Sequence, residues 1–218
     1  MASNVKAANS SLSKHKRLAI QKAGTAVFLR FGYGSASMDA IAAEAKVSKQ
    51  TIYNHFHSKE ELFKAIITDM TAALMSPLSM SDAMASTPER SLRSFAWDFL
   101  TLMLQPVSLA LHRLIVAESA RFPELGGDIY AAGPGQLIGV LADYLARETK
   151  NGRIAVADPD RAAELFIGML SGRMQLRALL GVCEHPNEAE LQSRVDHAVS
   201  SFLRLYAPDG LEKAKSPR

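Results

Sequence analysis

The sequence predicts an all-α protein in two parts, and three observations carry that expectation. Apolar residues recur at spacings of three and four along nearly the whole chain, and sustained period-two alternation is absent. Charge is divided unevenly: residues 1–64 hold 10 Lys/Arg against 4 Asp/Glu, and the remainder holds 15 against 18. With 218 residues, 48% apolar and 22% charged, the chain has the length and composition to bury a core. A basic first quarter on a mildly acidic remainder points to one part that meets a polyanion and another with a different task; unevenly charged solvated surface gives the same split. The lone Cys183 precludes an internal disulfide and suits a reducing cytoplasm. Residues 1–13 lack the apolar stretch of a signal peptide, and no run of about 18 apolar residues suggests a membrane span.

A first helix fits Ser13 to about Phe31, with Ile20, Ala23, Val27 and Phe31 on one face and Gly32 as terminator. Ser37 caps a short helix to about Ala45, with Met38, Ile41 and Ala42 inward and Asp39 in its first turn. A turn at Lys46 and Val47 leads to a second short helix, capped by Ser48 and ending near His55. Ser58 to Glu61 reads as a capping box in which Glu61 reaches back to the N–H of Ser58, opening a helix to about Met75 with Leu62, Ile66, Met70 and Ala73 on one stripe. Ser76 to Ser86 reads as a loop. Thr87-Pro88-Glu89 starts a helix to about Gln105, and another spans Val107 to Arg121. Pro134 and Gly152 bracket the next, Asp158 caps a long helix ending near Gly181, and the last runs from Asn187 to Leu205. Residues 1–12 and 207–218 read as disordered tails.

Two short helices joined by a tight turn, the second polar and serine-capped, form the pattern of a helix-turn-helix, whose second helix enters the major groove of DNA. Ile52 and Phe56 face inward with Val47, whereas Lys49, Gln50, Tyr53 and Asn54 fall on the exposed side. Gln50 and Asn54 suit adenine edges, Thr51 a thymine methyl, and Lys49 guanine or phosphate. Ser37 and Lys59 stand at helix N-termini, which favour phosphate.

The stretch from Ser37 to Leu62, SMDAIAAEAKVSKQTIYNHFHSKEEL, with Phe31-Gly32-Tyr33 upstream, resembles the signature of the TetR family of regulators, and the likeness covers about residues 13–66. The resemblance implies DNA contacts at Ser37, Met38, Ser48, Lys49, Gln50, Thr51, Tyr53, Asn54, His55 and Lys59. Lys46 departs from the glycine often found at the turn and is expected to need a left-handed backbone there. Leu111-His112-Arg113-Leu114-Ile115-Val116-Ala117-Glu118 and Arg121-Phe122-Pro123-Glu124-Leu125 are similar to one C-terminal type within the family. That likeness implies an all-helical sensor that binds a small molecule and dimerises through its last two long helices.

The resulting division is a tail at 1–12, a three-helix DNA-binding domain at 13–58, a larger helical effector-binding and dimerisation domain at 59–206, and a tail at 207–218. Candidate effector contacts are Met70, Phe99, Met103, Phe166 and Met169, as adaptable apolar walls, with Arg113 and Glu118; plain core is the alternative for each apolar member. Glu118 shares a face with Leu111, Leu114, Ile115 and Phe122, so its carboxylate needs a partner, either Arg121 or a ligand. Leu191, Val195, Val199, Phe202 and Tyr206, with Gly168, Gly172 and Leu176 on the preceding helix, are the candidate dimer residues, intramolecular core being the alternative. His55 with His57, and Cys183 with His185, lack the companions a metal site or nucleophile needs, so no metal, cofactor or enzymatic role is expected.

The sequence thus predicts a cytoplasmic homodimeric repressor. It binds a palindromic double-stranded operator, with half-sites about 34–36 Å apart, and an apolar small-molecule effector releases it. A constitutive regulator or activator without a ligand, and a helical small-molecule carrier or enzyme that does not use DNA, are the alternatives.

Overall fold

In the computed structural model, residues 2–78, 86–182 and 186–208 are described, and among them every regular element is helical. Helix α1 (Ala2–Ser35) runs to a break at Gly32, where φ is 80° and ψ 160°. The short helices α2 (Met38–Glu44) and α3 (Lys49–His55) follow, each started by a serine whose Oγ accepts a backbone N–H, Ala40 onto Ser37 and Thr51 onto Ser48, both at 3.1 Å. Between them Lys46 takes φ 54°, the left-handed conformation expected of it. Helix α4 (Lys59–Ala72) passes into a 3₁₀ turn, Ala73–Leu78. The Ser58 Oγ accepts from Glu61 N at 3.1 Å, as the capping box requires, but the Glu61 carboxylate accepts from His57 N at 2.9 Å and not from Ser58. The reciprocal bond therefore ties down one residue earlier than expected, closing the turn after α3.

Beyond these lie α5 (Pro88–Met103), α6 (Pro106–Ser119), α7 (Pro123–Tyr130), a π turn at Ala131–Gly135, α8 (Gln136–Lys150), α9 (Pro159–Leu179) and α10 (Glu188–Leu205). Helix α7 was not expected from the sequence, because Gly126-Gly127 depress helix propensity; burial of Leu125 and Ile129, four apart on one face, overrides it. No single described helix is long and apolar enough to cross a membrane. Cys183, His185 and most of the 76–86 loop and C-terminal tail lie outside the described residues.

The chain forms two compact units. The first comprises residues 1–69 with 110–132. Its core joins Ile20, Val27 and Phe28 of α1, Ile41 of α2, Ile52 of α3 with Phe56, and Leu62, Phe63 and Ile66 of α4. Gly24 lets α1 and α4 approach closely, since a Cβ there would lie 3.0 Å from Leu62 Cδ2. Phe31, expected inside, is exposed; the break at Gly32 instead brings Tyr33 into the core, where its ring lies 5.5 Å from Phe63 and 5.4 Å from Phe122. These aromatic contacts tie α4 and Phe122 to the helix-turn-helix within this unit.

The second unit comprises residues 70–109 with 133–218. Its core draws Leu92, Phe95 and Leu100 from α5, Leu141 and Tyr144 from α8, Phe166 and Leu170 from α9, and Val195, Val199 and Phe202 from α10. The Phe166 and Phe202 rings lie 4.8 Å apart. At its edge the Glu148 carboxylate, 1% exposed, sits 2.6 Å from Arg153 Nε, so the buried charge is paired.

Candidate nucleic-acid interface

The surface of α3 is built by an inside-outside division of its seven residues. Ile52, with Phe56 just beyond, anchors the helix in the first unit's core, which turns Lys49, Gln50, Tyr53 and Asn54 outward to solvent. Thr51 and His55 lie half-buried at the margin. The outward side chains are mutually organised: Gln50 Nε2 donates to Asn54 Oδ1 at 3.0 Å, one turn apart, and Ser48 Oγ lies 2.8 Å from Thr51 Oγ1. Lys49 Nζ lies 2.8 Å from Asp39 Oδ1 and 2.9 Å from Oδ2, and this pairing raises the lysine pKa. Such a face offers amide donors and acceptors, a cation and an exposed aromatic ring on one rigid helix, the chemistry that base edges and phosphates match.

The remaining sequence-predicted contacts divide by burial. Ser37 stands exposed at the start of α2, while Met38 is buried, held inward with Ile41 and Ala42. Lys59 opens α4, but its ammonium turns back to the end of α1, donating to the carbonyls of Tyr33 (2.9 Å), Ala36 (3.2 Å) and Gly34 (3.3 Å) and lying 4.5 Å from the Tyr33 ring centroid. It thus serves carbonyls at and just beyond the C-terminal end of α1, which the helix leaves without partners. Beside it the Tyr33 hydroxyl donates to Glu60 at 2.8 Å; burial first, and then this bond, push the phenol pKa well up.

Sequence reasoning missed Asp39 as the partner of Lys49. Ten positions separate the two, and the turn between α2 and α3, where Lys46 is left-handed, lies between them; an acid in the first turn of α2 on a basic segment was the available signal.

The predicted effector residues fall into both units. Arg113 and Glu118 belong to the first, while Met70, Phe99, Met103, Phe166 and Met169 belong to the second. Glu118 is 13% exposed and its Oε1 lies 2.9 Å from where a Cβ on Gly32 would stand. Arg121 approaches its Oε2 at 3.8 Å as an ion pair, beyond hydrogen-bonding distance, so the Oε2 has no hydrogen-bond donor. In the second unit Phe166 is fully buried, while Phe99, Met103 and Met169 are partly buried against the core. A cleft of about 990 Å³ in this unit is lined by Arg173, Met174, Arg177, Asn187, Glu190 and Arg194 among others, and by none of the predicted effector residues.

Of the candidate dimer residues, Val195, Val199 and Phe202 pack inside the second unit, with Leu191 and Tyr206 against them, so this stripe is intramolecular core. Gly168 faces open space, and Gly172 is approached by Arg194 of the same chain. Leu176 remains exposed, as do Leu165 on the same helix and Leu180 just past its end.

Known proteins share both parts of this architecture. The sequence model for bacterial regulatory proteins of the tetR family matches residues 20–66, and that for the C-terminal domain of AefR-like transcriptional repressors matches residues 90–208. A TetR-family transcriptional regulator from Mesorhizobium loti is 31% identical with a TM-score of 0.76, over 89% of this chain and 98% of that one. The flavonoid-responsive regulator FrrA is also 31% identical, with a TM-score of 0.71, over 90% of this chain and 99% of that one. The helix-turn-helix transcriptional regulator YhgD of Bacillus subtilis is 42% identical over 59 residues, 27% of this chain and 31% of that relative, so the match spans about a third of its length. With both halves matched by sequence and the whole matched by fold, the chain belongs to the TetR family of bacterial transcriptional regulators.

Proposed function

We propose that this regulator is a homodimeric repressor that binds a palindromic operator through α3 and leaves it when an apolar small molecule occupies the second unit. The observation that carries the DNA half is the outward face of α3, where Lys49, Gln50, Tyr53 and Asn54 stand together on a helix fixed by Ile52. Repression and effector response are supported by the repressor-type C-terminal domain over residues 90–208 and by FrrA, a 31% identical protein named for its response to flavonoids. An effector acts only through a difference in affinity between two arrangements of the protein. Helix α4, which begins at Lys59 in the first unit and continues past Met70 in the second, is the element through which that difference is passed.

Binding to a genomic DNA library, followed by fluorescence anisotropy on recovered sites, tests the reading. Log affinity should fall linearly with log salt, by about 0.9 per phosphate contacted. Lys49→Ala and Tyr53→Ala should weaken binding about five- to a hundredfold, whereas Gln50→Ala and Asn54→Ala should relax base preference. Salt-independent or absent binding would overturn the proposal. If no compound that raises the melting temperature also releases DNA, the effector half fails while the DNA half stands.

A further inference from the structure

The contact between Asp39 and Lys49 has a geometry that stability does not explain. Both side chains are largely exposed, at 64% and 63%, and solvent-exposed ion pairs add little to folding. Yet the ammonium meets both carboxylate oxygens, at 2.8 and 2.9 Å, across the gap between the first turn of α2 and the first residue of α3. Lys49 follows the Ser48 cap and so stands at the N-terminal end of α3, the end of a recognition helix that reaches base edges. A carboxylate beside it is unfavourable next to phosphate, because it repels the backbone and neutralises the one lysine on α3. It becomes favourable only where DNA offers a donor.

Both base pairs set a donor beside an acceptor in the major groove, but only one sets it beside two adjacent acceptors. In the major groove a G·C pair presents two adjacent acceptors, guanine N7 and O6, followed by the cytosine N4 amine as donor. An ammonium has several donors for the two acceptors, and a carboxylate beside it accepts from the amine. Adenine lacks the second acceptor next to N7 and places its own amine there, and thymine adds a methyl group. We infer that Asp39 and Lys49 act as one reading unit for a G·C base pair in each half-site, with Asp39 as a specificity residue that also keeps Lys49 from binding phosphate indiscriminately. The inference rests on the reading of α3 as the DNA-contacting helix.

The test uses the full-length protein and its Asp39→Asn and Asp39→Ala variants. Each is taken through selection from a pool of randomised palindromic duplexes, then through anisotropy on the wild-type consensus at several salt concentrations. Wild type is expected to fix G·C at one position per half-site. Both variants should lose about tenfold of that preference at this position alone, and their salt slope should steepen by about one per half-site as Lys49 is released to a phosphate. Unchanged base preference and salt slope in both variants, or a variant-sensitive position that selects A·T, overturns the inference while leaving DNA binding intact. A wild type that selects no sequence and binds without salt dependence brings down the DNA-reading proposal, and this inference with it.

Discussion

Among the described residues, three helices end in the same way, and one of them ends with an unsuitable residue. At Lys46, Gly152 and Gly181 the chain turns left-handed, with φ of 54°, 70° and 67°. In each case that residue's N–H bonds a carbonyl three residues back, and the next N–H bonds one five back: Lys46 to Ala43 and Val47 to Ala42 after α2, with the same pattern after α8 and α9. Glycine adopts this conformation without steric cost and lysine does not. Lys46→Gly is therefore expected to stabilise the first unit by about 0.5–1 kcal/mol, the relief of backbone strain exceeding the added chain entropy of glycine. Urea denaturation reads this directly, and a midpoint that fell would contradict the strain argument. Asp98 on α5 gives a second residue-level prediction. Partial burial raises its carboxyl pKa above the usual 3.8. The folded state thus holds that proton more tightly than the unfolded chain, so stability declines as pH rises through the folded pKa and stays lowered at neutrality. Asp98→Asn should raise the melting temperature at pH 7, and the gain should vanish below about pH 3.8. A gain that persists in acid would point to a cause other than the buried charge.

Among the elements, α9 shows most clearly how one residue shapes a helix. Its 21 residues are interrupted at Gly172, where φ is 36° and ψ −138°. Arg194 from α10 lies against that position, its Nε donating to the Leu170 carbonyl at 3.0 Å. A Cβ at residue 172 would stand 2.5 Å from Arg194 Nη2, but the end of an arginine side chain swings away easily, so backbone conformation decides the outcome. Gly172→Ala should cost about 1–2 kcal/mol; an unchanged unfolding midpoint would show that α9 simply straightens. The sequence made Gly168 and Gly172 look like a path for helix approach, and only the fold distinguishes a smooth small-residue face from a break. The same limit explains other differences. Serine and proline signals placed the starts of α2, α3, α5 and α9 because capping is local chemistry, and the outward face of α3 was legible because Ile52 and Phe56 define its inner face. Helix α7, the inward turn of Tyr33 and the pairing of Asp39 with Lys49 depend on contacts between distant segments, which periodicity does not record.

At the scale of the whole molecule, the stripe on α10 that looked like a dimer face packs largely within the chain, whereas Leu176, from the same set of candidates, stays exposed. If the proposed dimer forms here, Leu176 of α9 and Leu180 just past its end, 57% and 68% exposed, are the side chains to vary. Leu176→Asp with Leu180→Asp should convert a dimer to a folded monomer in sedimentation equilibrium and weaken binding to a palindromic site far more than to a single half-site. A double variant that remains dimeric would move the interface elsewhere. Within the first unit, Tyr33 packs on Phe122 and the Lys64 ammonium lies 3.1 Å from the Asp128 carboxylate, so residues far along the chain complete the body that carries α3. That arrangement bears on modular exchange between relatives. A chimera joined at residue 58 would separate the reader from the aromatic ring that packs on Tyr33, and would graft it onto a foreign version of that contact. Specificities should therefore transfer cleanly only when residues 110–132 travel with residues 1–69, a discontinuous cassette that no single splice point delivers.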